Sequence, residues 1–591
     1  MPAGTWRAAA LLALGCVSGW GDGSGPDALL GVWASELNQG PSVRGELTID
    51  GRGSNWRAAI AGFDVAVEHE KDAVHFSLPG GQGEFRGHLS HDSGSIFGAW
   101  IQPASLIHNN RYASPLQLFP LGTSVWRGHI IPLDDRISFY ISVQKKEDGS
   151  FSAFISNPEA NFFRRRTYKV ERKGPAVTLA NDRQRLPGTF DEKTGSLSLR
   201  LVDFMPPFQF TRNKDESAIG FFPRVARDPG GYAYRRPVAD GDGWETASLA
   251  DAGLDPKAIT AIVEKILDAN LADNPAYIQS LLIARHGKLV VEEYFFGFDK
   301  ERPHDMRSAS KTFAPMLAGI ARDHGARLAP DTLVYSLFPQ YKDFARWDER
   351  KKKVALRDIM TMTAGNACDD NDDNSPGGED HMQDQEEQRD WYKYTLDLPM
   401  VRDPGGEHAI YCSADLNLVG GVVESATGAW LPEFFDEYFA RPLQFHSYHL
   451  NLMPTGEAYM GGGAHLRPRD ELKLGQLYLN GGVWNGRRVV SKAWVDESIA
   501  HHSSFTPAWE SEGPHEYGYG WHIHRLKVGD RVFRDYAAGG NGGQVVVVIP
   551  DLDMVLGFNG GSYGEFGKWY RWELELVPQY IIPAAISSSP R

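Results

Sequence analysis

Ser308 and Lys311 form a Ser-x-x-Lys pair directly before a run of helix-forming residues that extends to Ala321. In a helix, residues three apart lie on the same face, about one turn from each other. A serine hydroxyl becomes an effective nucleophile when a neighbouring base takes its proton, and a lysine can be that base when burial lowers its pKa. The spacing therefore predicts Ser308 as nucleophile and Lys311 as proton acceptor, at a helix N-terminus whose field favours negative charge.

Two other serine motifs in the chain predict less. Ser142 and Lys145 repeat the same spacing, but on a predicted strand, where residues three apart point to opposite faces. The segment 560–564 places Ser562 in a Gly-x-Ser-x-Gly pattern, which in an α/β-hydrolase requires a histidine later in the chain. The last histidine is His524, so we expect Ser562 to lie in a loop without a catalytic role.

A second motif follows 103 residues after Ser308, since 411 − 308 = 103. Pro404-Gly405 precedes Tyr411-Cys412-Ser413, and an apolar helix then ends at Thr427-Gly428. With the Ser-x-x-Lys helix, this order resembles the serine β-lactamase-like (penicillin-recognising) hydrolases. That family includes class C β-lactamases, D-alanyl-D-alanine carboxypeptidases, esterases and 6-aminohexanoate-dimer hydrolases. The resemblance, over residues 245–580, implies that Tyr411 shares proton transfer with Lys311 and that Ser413 orients the substrate or the lysine.

The third motif of that family corresponds here to the glycine-rich segment 537–544, before an apolar strand. The family usually has Lys-Thr-Gly or His-x-Gly at this place, and this chain has no cation there. One backbone N–H, from Asn541 or from Gly540, would pair with that of Ser308 as an oxyanion hole. The missing cation, and Ser413 where most β-lactamases have asparagine, resemble the ester- and amide-hydrolysing branch. A penicillin-binding peptidase, a β-lactamase and a catalytically silent binding protein stay open as alternatives.

The elements around these motifs predict an α/β domain over residues 245–585. Pro256 begins an amphipathic helix that extends to Leu271, followed by strands at 280–285 and 288–296. Helical patterns then dominate, and strands return at 517–525, 532–536 and 545–549. Strands at both ends with helices between them predict one antiparallel sheet flanked by helices, with a helical lobe.

The first half of the chain has a different pattern. Residues 28–215 contain short alternating segments separated by Gly, Asp and Ser turns, which predicts an all-β region, either barrel or sandwich. Trp33 and Trp126 begin comparable blocks, so two β units in tandem and one larger unit both fit. A stretch rich in Pro, Gly and Asp within 216–244 predicts a linker.

The net charge indicates which partners to expect, and the first residues indicate the compartment. The chain has 61 basic and 76 acidic residues, a net charge of −15, which argues against nucleic acid as a partner. Arg7 precedes a short apolar run, so residues 1–25 read as a signal peptide and predict a secreted or periplasmic protein. Membrane attachment is expected only through the minor alternative of lipidation at Cys16.

Removal of Cys16 with the signal would leave Cys368 and Cys412, which we expect to be disulfide-bonded; two buried free thiols are the alternative. The acidic run 369–373, with further acids at 379–387, lacks calcium-loop spacing, and we expect it at the rim of the site, where it favours cationic or neutral substrates. His522 and His524 share a strand face, but no third metal ligand is evident, so a structural role is favoured. The expected partner is a small ester or amide substrate, with no cofactor and no metal.

Overall fold

The computed structural model describes residues 26–38, 40–105, 109–164, 166–202, 205–212, 220–224, 231–268, 277–506 and 515–586. The segment 1–25, with the predicted signal peptide and Cys16, lies outside these residues, as does part of the predicted linker. No helix among the described residues is both long enough and apolar enough to cross a membrane.

The described chain divides into two compact units that alternate along the sequence. One contains residues up to 35, residues 139–156 and residues 165–218, and the other contains residues 36–138, 157–164 and 219–591. The first unit is built around a closed antiparallel barrel. Its strands, in barrel order, are Gly31–Asn38, Arg136–Lys145, Phe151–Ser156, Thr167–Lys173, Ala176–Ala180, Arg185–Asp191, Ser196–Leu199 and Phe208–Arg212. The barrel closes where Trp33 pairs with Arg212. The prediction of an all-β N-terminal region is confirmed.

The second unit begins with an antiparallel sheet of short strands between residues 45 and 130. Its strands are Gly45–Asp50, Arg57–Ile60, Phe63–Ala66, Glu68–Glu70, Ala73–Ser77, Glu84–Leu89, Ile96–Ile101, Arg111–Gly122 and Val125–Ile130. This sheet is continuous with the later part of the unit, because Ala113 pairs with Leu450 in the strand Tyr448–Leu452. That strand pairs in turn with His465–Leu466, which pairs with His304–Asp305 directly before the Ser308 segment.

The central sheet of the same unit has nine strands from both ends of the region after residue 244. In order they are Glu245–Thr246, Lys288–Tyr294, Ile278–Arg285, Met554–Gly560, Gln544–Ile549, Tyr536–Gly540, His522–Ile523, His515–Tyr517 and Ser503–Phe505. Neighbours are antiparallel except for the first pair, which is parallel. Strands from 278–294, near the start of the region 245–585, lie beside strands from 544–560, near its end. The predicted antiparallel sheet with strands from both ends of this region is confirmed.

Helices cover this sheet and form a helical lobe. They are Pro256–Leu267, Phe313–Asp323, Leu356–Met360, Glu379–Asp384, Trp391–Asp397, Ser413–Thr427, Leu431–Phe435, Pro468–Leu479, Lys492–Ser498, Phe566–Arg571 and Ile582–Ile586, with a π-helical segment Trp572–Ile581. Gly475 lets the helix Pro468–Leu479 lie close to the sheet, because a Cβ there would come 2.5 Å from Val555.

Two boundaries differ from the sequence prediction for local reasons. The helix that begins at Pro256, capped by Asp255, ends at Leu267, since Asp268 leaves the helical conformation with a ψ of 3°; residues 269–271 of the predicted helix lie outside the described residues. The predicted strand 517–525 is interrupted, because Gly520 adopts a φ of +76° in a turn between His515–Tyr517 and His522–Ile523.

Candidate active site

Ser308 lies in a tight turn before the helix that was predicted to contain it. A 3₁₀ segment, Arg307–Thr312, carries Ser308, and the α-helix Phe313–Asp323 follows. Ser308 is therefore close to the start of a 3₁₀ segment that leads directly into the predicted helix. Pro315 has no N–H to donate to the carbonyl of residue 311, so one α-helical hydrogen bond is missing at the junction between the two segments.

Arg307, the residue before Ser308, has a φ of +46°, a conformation that is uncommon outside glycine. Its N–H donates to Asp305 Oδ1 at 2.9 Å, and its guanidinium pairs with the same carboxylate at 2.8 Å. Ser310 Oγ donates to the Arg307 carbonyl at 2.7 Å. These contacts hold a backbone conformation that would otherwise be costly, and they fix the direction from which Ser308 leaves the turn.

Lys311 is buried next to Ser308. Its Nζ lies 2.8 Å from Ser308 Oγ and 2.5 Å from the carbonyl oxygen of Gly461, and the residue is only 2% exposed. Burial lowers the pKa of Lys311, while the carboxylates of Glu379 and Asp370 act in the opposite direction. The 3₁₀ geometry accounts for the contact, because side chains three residues apart are eclipsed in such a turn.

Tyr411 lies at the entrance to the helix Ser413–Thr427, and its ring faces the lysine. Lys311 Nζ is 5.0 Å from the centre of the Tyr411 ring. Cys412, the residue between Tyr411 and the helix, is joined to Cys368 by a disulfide with a Cα–Cα distance of 5.5 Å. The predicted disulfide is therefore present. The N–H of Asp370 donates to the Tyr411 carbonyl at 2.9 Å, which ties the two disulfide-linked segments together.

Ser413 is fully buried, and its polar groups are directed to Asp370. The Ser413 hydroxyl donates to Asp370 Oδ2 at 2.6 Å, and its backbone N–H donates to the same atom at 2.8 Å. Burial, and then the charge of Glu379, raise the pKa of Asp370 to about 6, although Lys311 acts to lower it. Ser413 is not among the residues that line the cavity next to Ser308, whereas Asp370 is.

The glycine-rich segment lies against the Ser308 turn. Gly540 ends the strand Tyr536–Gly540, and a Cβ at Gly540 would come 2.3 Å from the Met306 carbonyl oxygen and 3.0 Å from the Ala309 nitrogen. A residue larger than glycine would therefore push the strand away from the serine. Asn541 lines the cavity, and its Oδ1 accepts a hydrogen bond from the Gly564 N–H at 2.9 Å.

These groups border a cavity of about 210 Å³ that contains Ser308. Tyr411 and Asn541 lie in its wall together with Asp370 and Glu379 from the acidic insertion. The remaining lining is aromatic or histidine-rich and includes Phe505, Phe566, Trp569, Tyr570, His515, His522, His524 and Glu573. The cavity thus combines one nucleophile, an apolar surface and acidic groups at two separate places.

The histidines of this wall form a compact group. The rings of His522 and His524 are nearly parallel, with centroids 6.4 Å apart, as expected for residues on one strand face. His515 Nε2 lies 2.9 Å from His522 Nδ1. Burial and the neighbouring histidines lower the pKa of His522 well below its ordinary value. Burial acts in the same direction at His524, but Glu573 and Asp535 raise its pKa well above the ordinary value.

Sequence reasoning missed Asp370 as an individual site residue, and it missed Glu573 and Asp535 altogether. Asp370 was one acid in a run, and nothing local distinguishes it from Asp369 or Asp372, which cap turns of the loop through the N–H groups of Asn371 and Asn374. Glu573 reaches the cavity from the π-helical segment Trp572–Ile581, near the end of the described chain. The remaining serine motifs stay apart from this cavity: Ser142 is on a barrel strand, and buried Ser562 donates its N–H to the Gly542 carbonyl.

Comparisons with known proteins agree with the motifs. Residues 272–560 match the family model described as Beta-lactamase. The chain is 25% identical over 254 residues to the 6-aminohexanoate-dimer hydrolase of Paenarthrobacter ureafaciens, and the match covers 41% of this chain and 62% of that enzyme. The chain thus spans less than two thirds of this curated relative.

Solved structures to which the chain has some similarity include two bacterial proteins. One is a penicillin-binding protein homologue from Caulobacter crescentus, with a TM-score of 0.41 and 14% identity over 52% of this chain and 92% of that one. The other is a D-stereospecific amidohydrolase from a Streptomyces species, with a TM-score of 0.37 and 16% identity over 50% of this chain and 94% of that one. The resemblance inferred from the three motifs is confirmed by the family comparison: residues 272–560 of this chain match the Beta-lactamase family model.

Proposed function

We propose that this chain is a secreted or periplasmic serine hydrolase that cleaves an ester or amide bond through a covalent acyl-enzyme. The observation that carries the proposal is the 2.8 Å contact between Lys311 Nζ and Ser308 Oγ, made by a lysine whose pKa burial lowers. A neutral amine at this distance can accept the serine proton at ordinary pH. The disulfide and the predicted signal peptide favour an oxidising compartment.

The reaction has two steps. Ser308 Oγ attacks the carbonyl carbon as its proton passes to Lys311, with Tyr411 sharing the transfer, and the proton is then delivered to the leaving alcohol or amine. A water molecule attacks the acyl-enzyme next and returns the proton to Ser308, which releases the acid. Backbone N–H groups of Ser308 and of Asn541 or Gly540 would stabilise the oxyanion. The close approach of Gly540 to the serine turn supports this assignment.

The acidic groups of the cavity favour cationic or neutral substrates. Asp370 and Glu379 both line the space next to Ser308, and Glu379 accepts a hydrogen bond from Tyr459 Oη at 2.6 Å, which fixes its position. We expect a cationic ester to have a higher kcat/KM than an anionic ester of matched size. Equal values for the two esters would remove this part of the proposal.

Two other functions fit the site less well. A penicillin-binding peptidase or β-lactamase would gain from a cation at the glycine-rich strand, where this chain has Ala537 and Ala538. A silent binding protein would have no need of a buried lysine in contact with a serine, because burying an ammonium group is costly.

Burst kinetics test the acyl-enzyme. Mixing the protein with a p-nitrophenyl ester should release up to one equivalent of p-nitrophenol rapidly, before slower turnover, if deacylation limits the rate. Ser308→Ala should lower turnover at least about 10³-fold. Ser562→Ala is the matched control, because it removes the serine of the competing motif and should leave turnover within about twofold of the unmodified protein. Turnover that depends on Ser562 and not on Ser308 would overturn the proposal.

A further inference from the structure

His524, Asp535 and Glu573 form a buried cluster in the part of the molecule that borders the Ser308 cavity. Their exposed fractions are 7%, 0% and 4%. One donor atom from each residue lies within 4.8 Å of the donor atoms of the other two. The residues come from three separate segments: the end of the strand His522–Ile523, the residue before the strand Tyr536–Gly540, and the π-helical segment Trp572–Ile581. Segments of π-helix occur frequently at functional sites.

The polar atoms of the cluster are close together, but several of them make no hydrogen bond. His524 Nδ1 lies 2.6 Å from Glu573 Oε1 and 3.6 Å from Asp535 Oδ1. Nevertheless, both ring nitrogens of His524, Glu573 Oε1 and Asp535 Oδ2 are buried without a hydrogen bond. In a hydrogen bond, the donor N–H or O–H points at the acceptor atom, whereas the ligands of a metal ion all point at one shared centre. Short contacts without hydrogen-bond direction, as in this cluster, fit the ligands of a metal ion.

Charge leads to the same conclusion. Two carboxylates and one imidazole share a space from which water is largely excluded, and a buried charge needs a partner. A divalent cation with two carboxylates and a neutral imidazole gives a site with no net charge. Nitrogen and carboxylate oxygen donors suit Zn²⁺ and other divalent transition metals.

We propose that His524, Asp535 and Glu573 bind a divalent transition-metal ion such as Zn²⁺. His524 and Glu573 also line the cavity that contains Ser308, so a remaining coordination position would face that cavity and take water or an oxygen of a bound ligand. Asp535 Oδ1 accepts a hydrogen bond from the backbone N–H of His524 at 2.9 Å. This bond orients the carboxylate and leaves Oδ2 available. This inference does not depend on the proposed hydrolase reaction, in which the metal takes no part.

The experiment measures metal binding to the whole chain, produced without a histidine tag and treated with a chelator. Calorimetric titration with Zn²⁺ should show one equivalent bound, and Co²⁺ should give a ligand-field absorption band. Glu573→Gln and Asp535→Asn keep the side-chain shape and should each weaken Zn²⁺ binding at least about tenfold. The matched control is Glu407→Gln, since Glu407 pairs with His501 at 2.7 Å on the surface, and it should leave binding unchanged.

The competing explanation is that a proton, and not a metal, neutralises the cluster. Absence of Zn²⁺ binding and of a Co²⁺ band in the unmodified protein would establish that explanation and overturn the proposal. Undiminished binding in both Glu573→Gln and Asp535→Asn would also overturn it, because the metal would then lie elsewhere. Circular dichroism and the thermal unfolding midpoint show whether each variant is folded, and the Co²⁺ spectrum of the unmodified protein needs no variant.

Discussion

Two opposing influences set the pKa of the Lys311 amine, on which its proposed role depends. Burial favours the neutral form, while the carboxylates of Glu379 and Asp370 favour the charged form. The amine also contacts the Gly461 carbonyl, which orients it towards Ser308. A general base works best when its pKa lies near the working pH, so the acidic neighbours set the pH range in which the amine can accept the serine proton.

Removal of the Glu379 charge should move the pH dependence of turnover. The rate rises with pH as Lys311 loses its proton, so the acid limb of kcat/KM follows the pKa of Lys311. Because Glu379 raises that pKa, Glu379→Gln should lower it and shift the acid limb to lower pH. The plateau value should fall by less than about tenfold, compared with about 10²–10⁴-fold for Lys311→Met.

The control for this shift is Glu386→Gln, an exposed acid in the same insertion. Its pH profile should coincide with that of the unmodified protein. Identical acid limbs in Glu379→Gln and Glu386→Gln would contradict the assignment of the acid limb to Lys311.

The elements that meet at the site are held together by the segment around Cys368 and Cys412. The disulfide joins residues 44 positions apart. Cys412 directly follows Tyr411, and Cys368 lies two residues before Asp370. The hydrogen bond from the Asp370 N–H to the Tyr411 carbonyl reinforces this connection. The acidic insertion therefore keeps a fixed position relative to the helix Ser413–Thr427.

Loss of the disulfide should destabilise the domain and impair the site. For a loop of this length, a cross-link contributes about 4 kcal/mol to the free energy of unfolding. Cys368→Ser/Cys412→Ser should lower the midpoint of denaturant unfolding and reduce kcat/KM, because Asp370 and Tyr411 lose their constraint. Reduction of the unmodified protein with a phosphine should reproduce both effects. Alkylation of both cysteines without reductant, together with an unchanged unfolding midpoint, would contradict this expectation.

Elements with strong local signals could be predicted from the sequence, and those made by distant contacts could not. Pro256 after Asp255 indicates a helix start, and the apolar strands 280–285 and 545–549 need no partner to be recognised. In contrast, no sequence pattern indicates the positive φ of Arg307, although the residues that hold it, Asp305 and Ser310, are close to it in the chain. Glu573 gives no local signal either, because it enters the cavity through the packing of the distant π-helical segment Trp572–Ile581 on the sheet.

At the scale of the whole molecule, the strands of residues 45–130 are part of the same compact unit as residues 272–560, which match the Beta-lactamase family model. Leu450 and Leu452, both buried, pair with Ala113 and Arg111 across the two regions. Ser114 Oγ lies 2.7 Å from His449 Nδ1, and the Arg86 guanidinium lies 4.5 Å from the centre of the Trp430 ring. A linker pattern at 216–244 does not reveal such contacts, because strand pairing between distant segments leaves no local signal.

Removal of residues 1–230 should therefore lower the stability of the remaining chain. The strand Tyr448–Leu452 would keep its pairing with His465–Leu466 but lose its pairing with Arg111–Gly122, so that its Leu450–Leu452 part would become an exposed edge, which promotes aggregation. We expect the shortened protein to show a lower thermal midpoint and to aggregate in light scattering at concentrations where the full chain does not. A shortened protein with the same thermal midpoint and turnover would show that these strands contribute nothing to the stability of the domain.

The central claim is that Ser308 is the nucleophile, and intact-mass measurement with a fluorophosphonate tests it most directly. The account predicts one adduct per molecule in the unmodified protein and in Ser562→Ala, no adduct in Ser308→Ala, and localisation of the adduct to the peptide that contains Ser308. An adduct that persists in Ser308→Ala, or that maps to another residue, would contradict the account.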